Sequence, residues 1–129
     1  VATVVSNAGR AIQTNLVSGL GGTAPNYIAI GSGAGTSAVA DTTLFTEYTT
    51  GTWTGYARVN ATPTRATTSV TNDTIKWSGS FTAGASQTVT NAGNFDASAN
   101  GNMLVKGDFT GVALANGDSI TINISLQYT

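Results

Sequence analysis

Ser119-Ile120-Thr121-Ile122-Asn123-Ile124-Ser125-Leu126-Gln127-Tyr128 reads as a β-strand with one dry face. Side chains on a pleated strand point alternately to opposite faces. Ile120, Ile122, Ile124, Leu126 and Tyr128 therefore share one side, and Ser119, Thr121, Asn123, Ser125 and Gln127 the other. With no charge in the run, the strand is expected in the interior of a sheet. The rest of the chain must supply its backbone partners and a second apolar layer.

Working back from it, residues 74–82 show the same period, with Ile75, Trp77, Gly79 and Phe81 against Lys76, Ser78 and Ser80. Asn72-Asp73 is expected to make a tight turn into that strand from a Thr-rich one at 65–71. A strand at 54–61 would hold Tyr56 and Val59, and another is expected at 87–95. Asn100-Gly101 suits a hairpin loop because both residues take positive φ at low cost. Met103, Leu104, Val105 and Phe109 form the next strand with Gly107 as a bulge. Residues 111–117 then read as a short crossing segment, closed by Asp118.

Seven or eight short strands with glycine turns specify an all-β fold, an antiparallel β-sandwich of immunoglobulin-like or jelly-roll type. Ile75, Trp77, Phe81, Phe95, Leu104, Phe109, Ile120, Ile122, Ile124 and Leu126 are the expected core. Ahead of this domain, residues 25–129, stands an N-terminal arm or short helix, residues 1–24. Ile12, Leu16 and Leu20 recur every four residues after an N-cap at Asn7, and Gly19, Gly21 and Gly22 end the run. A mobile arm is the competing reading of the same residues.

The chain has 129 residues, enough for one domain that buries about two thirds of its unfolded surface. It contains neither cysteine nor histidine, which excludes a thiol nucleophile, an imidazole base and a Cys/His metal site. Charged residues are 9% of the total, against roughly 25% in ordinary soluble domains. Hydroxyls, amides and methyls occupy the wet faces instead, which suits a protein that works beside other subunits or outside a cell. The five cations, Arg10, Arg58, Arg65, Lys76 and Lys106, are scattered, so no nucleic-acid footprint is expected. No apolar run reaches the ~20 residues of a membrane span, and the start of the chain lacks the basic region of a signal peptide.

Chemistry is sparse. The glycines at 31, 33 and 35 follow a strand at 26–31, but a dinucleotide fingerprint needs its third glycine where Thr36 stands. These residues read as a flexible turn by which the chain leaves the sheet. Residues 37–48 are expected as a loop with one helical turn capped by Asp41, with Leu44 and Phe45 tucked inward. The six acids, Asp41, Glu47, Asp73, Asp96, Asp108 and Asp118, sit where turns want an acceptor; Asp96 with Asp108 is the pairing weighed as a glycosidase dyad. Oxygens at alternate positions in residues 96–101 resemble the start of a calcium loop, yet Gly107 replaces its bidentate acid, and a plain hairpin explains the same residues. No enzyme activity, cofactor or metal is expected.

Three segments together carry a resemblance. Tyr27-Ile28-Ala29-Ile30-Gly31-Ser32-Gly33 is followed by Asp41-Thr42-Thr43-Leu44; Asn91-Ala92-Gly93-Asn94-Phe95-Asp96 is followed by Gly101-Asn102-Met103-Leu104; and Asn116-Gly117-Asp118-Ser119-Ile120 leads the last strand. In this order they resemble small structural proteins of tailed bacteriophages, of the tail-fibre-like or head-decoration kind. The resemblance implies a virion component made in the host cytoplasm, on the outer surface of the capsid or on the tail. Its expected partners are the major capsid protein or other virion subunits, with a homo-oligomer, dimer or trimer. The leading expectation is a capsid decoration, or cement, protein whose Val4, Val5, Ile12, Leu16 and Leu20 contact capsid or neighbouring subunits. The alternative is a tail or head fibre touching host glycans through Tyr48, Trp53 and Tyr56, candidate exposed aromatics that read equally well as core or subunit contacts. A secreted, pilus-like subunit is the third reading, because the unbroken last strand could pair with another chain.

Overall fold

A computed structural model describes residues 2–129; Val1 lies outside the described residues. Two antiparallel sheets make up the fold. The larger has the order β1-β7-β6-β2-β3, formed by β1 (Ala2–Val5), β7 (Met103–Leu114), β6 (Gln87–Phe95), β2 (Tyr27–Gly31) and β3 (Val59–Asn60). The smaller has the order β4-β5-β8, formed by β4 (Thr64–Ala66), β5 (Thr74–Thr82) and β8 (Ser119–Gln127). The expected all-β sandwich is therefore the observed fold.

Between the sheets, Ile28, Ile30, Val89 and Val105 of the larger meet Trp77, Phe81, Ile122 and Ile124 of the smaller. Gly79 lies where the layers approach closely. A Cβ there would sit 3.0 Å from a Val59 methyl and 3.1 Å from the Ile28 Cδ1. Of the expected core, Ile75, Phe109, Ile120 and Leu126 are half-buried at its margins. Phe95 is buried on the other side, in a second small cluster with Ala29, Leu44 and Met103. The middle of the larger sheet, around β2 and the second half of β6, thus has both faces covered, one by the smaller sheet and one by the loop of residues 32–48.

The dry face of the last strand is as expected, but its place is not. β8 pairs only with β5, from Thr74↔Gln127 to Thr82↔Ser119, and so stands at a sheet edge. Alternation reports which face is dry, not how many neighbours the backbone has. Other boundaries also move. Residues 54–61 yield only the short β3. Residues 67–73 form a wide loop, not a tight turn, because the Asp73 carboxylate accepts the Thr68, Ser69 and Val70 N–H groups. No helical turn forms near Asp41, which instead accepts the Ala38 N–H at 2.9 Å. The 111–117 segment is largely the end of β7, which runs on to Leu114. Gly107 pairs regularly with Ala92; the ladder is irregular on either side, between Val89 and Asn91 and between Gly93 and Phe95. At the second irregularity the Asn94 Oδ1 accepts the Val105 N–H at 3.0 Å, replacing a missing ladder bond.

The N-terminal segment is tied into the sandwich. β1 pairs with β7 from Ala2↔Asp108 to Val5↔Val105, so the division at residue 24 does not follow a break in the sheet. The helix is α1 (Asn7–Ser18) and its N-cap is Ser6, not Asn7. The Ser6 Oγ accepts the Gly9 N–H at 2.9 Å and donates to the Met103 carbonyl, which joins the helix start to β7. Gly19, at φ 72°, closes the other end. Gly9 lets α1 lie directly on β7, since a Cβ there would stand 2.6 Å from the Leu104 carbonyl oxygen.

Candidate functional site

The loop of residues 32–48 is held on the outer face of the larger sheet by polar contacts from residues far away in sequence. Asn91, buried on β6, acts as a piece of backbone: its Oδ1 accepts the Phe45 N–H and its Nδ2 donates to the Phe45 carbonyl, both at 3.0 Å. Ser32 and Gly33 N–H groups donate to the Thr46 and Phe45 carbonyls. The Thr90 hydroxyl donates to the Gly33 carbonyl. The glycines at 31, 33 and 35 are thus a packing device, not a flexible turn. A Cβ on Gly31 or Gly33 would meet the Phe45 carbonyl oxygen within 2.8 Å, and one on Gly35 would strike the Phe45 ring at 2.7 Å.

Two ion pairs lock the loop further. The Lys106 side chain on β7 is 1% exposed; its ammonium lies 2.9 Å from Asp41 Oδ2 and 3.3 Å from the centre of the Phe45 ring. The hydrogen bond from Lys106, then that from the Ala38 N–H, holds the Asp41 carboxyl below its ordinary range. The Arg58 guanidinium grips Glu47 with two bonds of 2.8 and 2.9 Å, donates to the Ala97 and Asn100 carbonyls, and lies 3.8 Å over the Phe95 ring. One arginine therefore fastens the 97–100 hairpin tip to the end of the loop. Tyr56 donates to Glu47 Oε2 at 2.8 Å and accepts the Ile30 N–H. Burial first, then the Glu47 hydrogen bond, pushes its hydroxyl well above the usual tyrosine range.

Around this cluster lies an open groove of about 640 Å³, lined by Thr42, Thr43, Glu47, Tyr56, Arg58 and Asn100. Its charged groups are committed to each other and to backbone carbonyls. The geometry describes a strut that fixes loop shape, with bidentate recognition supplied by arginine. Arg58→Lys keeps the charge but loses the fork, and is expected to destabilise the fold by about 2 kcal/mol. Faster amide exchange at residues 97–101 should accompany the loss; wild-type exchange there would show that the fork is not the tether.

The remaining acids serve the backbone. Asp108 accepts the Ser37 N–H at 2.7 Å, and this bond is the leading cause of its lowered carboxyl pKa. Asp73 is held low by the Val70 and then the Thr68 N–H. Asp96 accepts the Asn102 N–H at 2.7 Å, and Asp118 the Ala115 N–H at 2.8 Å. Asp96 and Asp108 are not brought together. Met103 pairs with Phe95, and Asp108 lies roughly 17 Å further along β7 at strand rise. Among the described residues, no three acids gather as metal ligands do.

Of the two readings of the aromatic residues, the core one fits Tyr48 and Trp53. Trp53 is 2% and Tyr48 4% exposed, and Tyr56 is half-buried between Tyr48 and Phe81. Trp53 donates its indole N–H to the Thr82 carbonyl and Tyr48 its hydroxyl to the Thr88 carbonyl. Tyr48 and Trp53 offer no ring face for stacking on a sugar; Tyr56 reaches the groove but stacks one face on Phe81. Of the expected contact residues, Ile12 is 5% exposed and belongs to the core, while Val4 and Val5 are half-buried on β1. Leu16 and Leu20 are exposed, with Val17 between them. Among the described residues, no helix is long and apolar enough to cross a membrane.

A sandwich whose acids fasten turns, and whose ion pairs clamp loops to a sheet, defines the class of β-structural modules. Within it, a family model described as podophage GP4 fiber I protein gp80 matches residues 6–127, and the chain belongs to that family. It is thereby a member of a family of tailed-phage virion structural proteins. A search of curated proteins returns no match.

Proposed function

We propose that the chain is a fibre subunit of a tailed-phage particle, doing mechanical rather than catalytic work beside other virion subunits. The observation that carries this reading is the family match, which spans nearly the whole chain and is described as a fibre protein. Composition supports it. With 9% charged residues, the surface offers hydroxyls, amides and methyls that can be covered by neighbouring subunits without desolvating many ions. The clamped loops support it too, because a component exposed on a particle gains from having few segments free to open. Val4, Val5, Leu16 and Leu20 are the proposed contacts toward neighbouring subunits; Ile12 acts only by seating α1.

Capsid decoration by this same module is the alternative, and it differs in location. Immunogold labelling of intact virions with an antibody against this chain separates the two. Gold on fibres, at the tail or on the head surface as discrete projections, is expected. Gold spread evenly over the head would replace the fibre with a cement role, in which binding only the assembled lattice stabilises it by mass action. Gold on no particle would overturn both.

A further inference from the structure

We infer that the outer edge of β8 pairs with β8 of a second copy of this chain, joining the two smaller sheets into one across a two-fold axis at Asn123. The orientation of the backbone comes first. The bonds Ala83 N–H to the Asp118 carbonyl, 2.7 Å, and Tyr128 N–H to the Asp73 carbonyl, 2.9 Å, mark the two ends of the β5–β8 ladder. Hydrogen-bonded pairs recur at every second residue of an antiparallel ladder. The even-numbered residues of β8 therefore turn their N–H and C=O groups toward β5. Those of Ser119, Thr121, Asn123, Ser125 and Gln127 turn outward, where no other strand pairs with β8 among the described residues.

Edges are ordinarily blunted by short length, charge, proline or a bulge. The other edge strands are short: β1 has 4 residues, β3 has 2 and β4 has 3. β8 has 9 residues, pairs with β5 without a register shift, and contains no charge and no proline. Beside it, a groove of about 300 Å³ opens between β8 and β7, lined by Val105, Phe109, Ile122 and Ile124 with Thr3 and Asp108 at its rim. A strand added to β8 must therefore place apolar side chains toward that groove at alternate positions and small polar ones away from it.

β8 itself meets both demands. Centred on Asn123, the two-fold register sets Ile122 opposite the partner's Ile124, and Ile120 opposite the partner's Leu126. On the wet face it sets Thr121 opposite the partner's Ser125, and Ser119 opposite the partner's Gln127. Apolar meets apolar, hydroxyl meets hydroxyl or amide, and no charge faces its own copy. All the outward-turned residues become hydrogen-bonded pairs, with about ten backbone bonds across the axis. A two-fold contact requires such self-complementarity; the strict alternation of β8 supplies the match of faces, and the absence of charge leaves nothing to oppose it.

The test uses the whole chain. Sedimentation velocity over a concentration series is expected to show a reversible dimer. Asn123→Pro removes an N–H that points away from β5, so the monomer keeps its ladder while the dimer loses its centre. Asn123→Lys places two ammonium groups opposite each other, and its dimer Kd should rise about tenfold or more. Ser78→Lys puts the same charge on the same wet face one strand further in, and should dimerise as wild type does. The chain has no cysteine, so Asn123→Cys gives a specific cross-link: facing residues of a hydrogen-bonded pair are about 5.5 Å apart at Cα, within disulfide range. Circular dichroism melts report whether each variant folds; if Asn123→Pro does not, the lysine and cysteine variants decide. A wild-type monomer at about 100 μM, or an oligomer indifferent to Asn123→Lys and uncross-linked in Asn123→Cys, overturns the inference. It stands on strand geometry alone, so its failure would leave the virion labelling untouched.

Discussion

Trp53→Ala is expected to lower folding stability by about 4 kcal/mol, in the middle of the range for truncating a buried aromatic side chain. The ring packs edge-on against Tyr48 at 4.9 Å between centres and against Phe81 at 6.5 Å. It therefore bridges residues 48–56 to β5, and its loss opens a cavity between a loop and a sheet. The indole N–H also leaves behind the Thr82 carbonyl, whose 3.1 Å bond it supplied. For a domain of this size the loss corresponds to a fall of roughly 15 °C in Tm. Urea unfolding followed through Trp77, the other tryptophan, measures it without losing the probe. Trp53→Phe keeps most of the packing and should fall about halfway between. An exposed ring waiting for a sugar would behave differently, because surface truncations stay within about 0.5 kcal/mol of wild type. A result that small would return Trp53 to the surface.

The sequence displays β5 and β8 clearly because each has one wet and one dry face, and period two marks that contrast. It does not display edges, since whether a strand has one neighbour or two depends on which distant strand arrives. β7 is harder to read: beyond Asp108 its side chains are largely exposed, and Gly107 and Gly111 interrupt the pattern. The segment around Tyr48, Trp53 and Tyr56 has no periodicity, being buried by irregular backbone, so the sequence does not tell core aromatics from surface ones there. Glycines raise a similar ambiguity. A turn and a close approach both demand them, and only the position of Phe45 shows that residues 31–35 are the second case. The clamps were the least visible part. Asn91 meets Phe45 across 46 positions, and Lys106 meets Asp41 across 65. One signal was present: Lys106 follows Met103-Leu104-Val105 on a strand, in a chain with only five cations. A lone charge in an apolar run implies a buried partner or an exposed face, and the choice between them is tertiary.

Asp41→Ala should cost about 3 kcal/mol, because it strands the Lys106 ammonium where water does not reach. Lys106 is 1% exposed and Asp41 26%, so the pair is asymmetric: the carboxylate reaches solvent while the ammonium depends on it and on the Phe45 ring. That asymmetry puts the expected loss at the low end for breaking a buried pair, since the loop can open slightly to admit water. Lys106→Met, by contrast, removes the ion together with its need for a partner and fills the same space, so it should be close to neutral. The double variant should recover most of what Asp41→Ala alone loses, and a double-mutant cycle by urea unfolding measures the coupling. Acid gives an independent reading. The folded Asp41 pKa lies below its ordinary 3.8, so the unfolded chain takes up the proton first as pH falls. The contribution of the pair is fully present above about pH 5 and is lost as pH drops through 3.8 toward the lower folded value. Wild type should thus lose more stability than Lys106→Met between pH 5 and pH 2. Equal acid profiles, or an Asp41→Ala variant within 0.5 kcal/mol of wild type, would mean that Lys106 is solvated in the folded protein and that the loop is held on β6 and β7 by Asn91 and Asp108 without the ion pair.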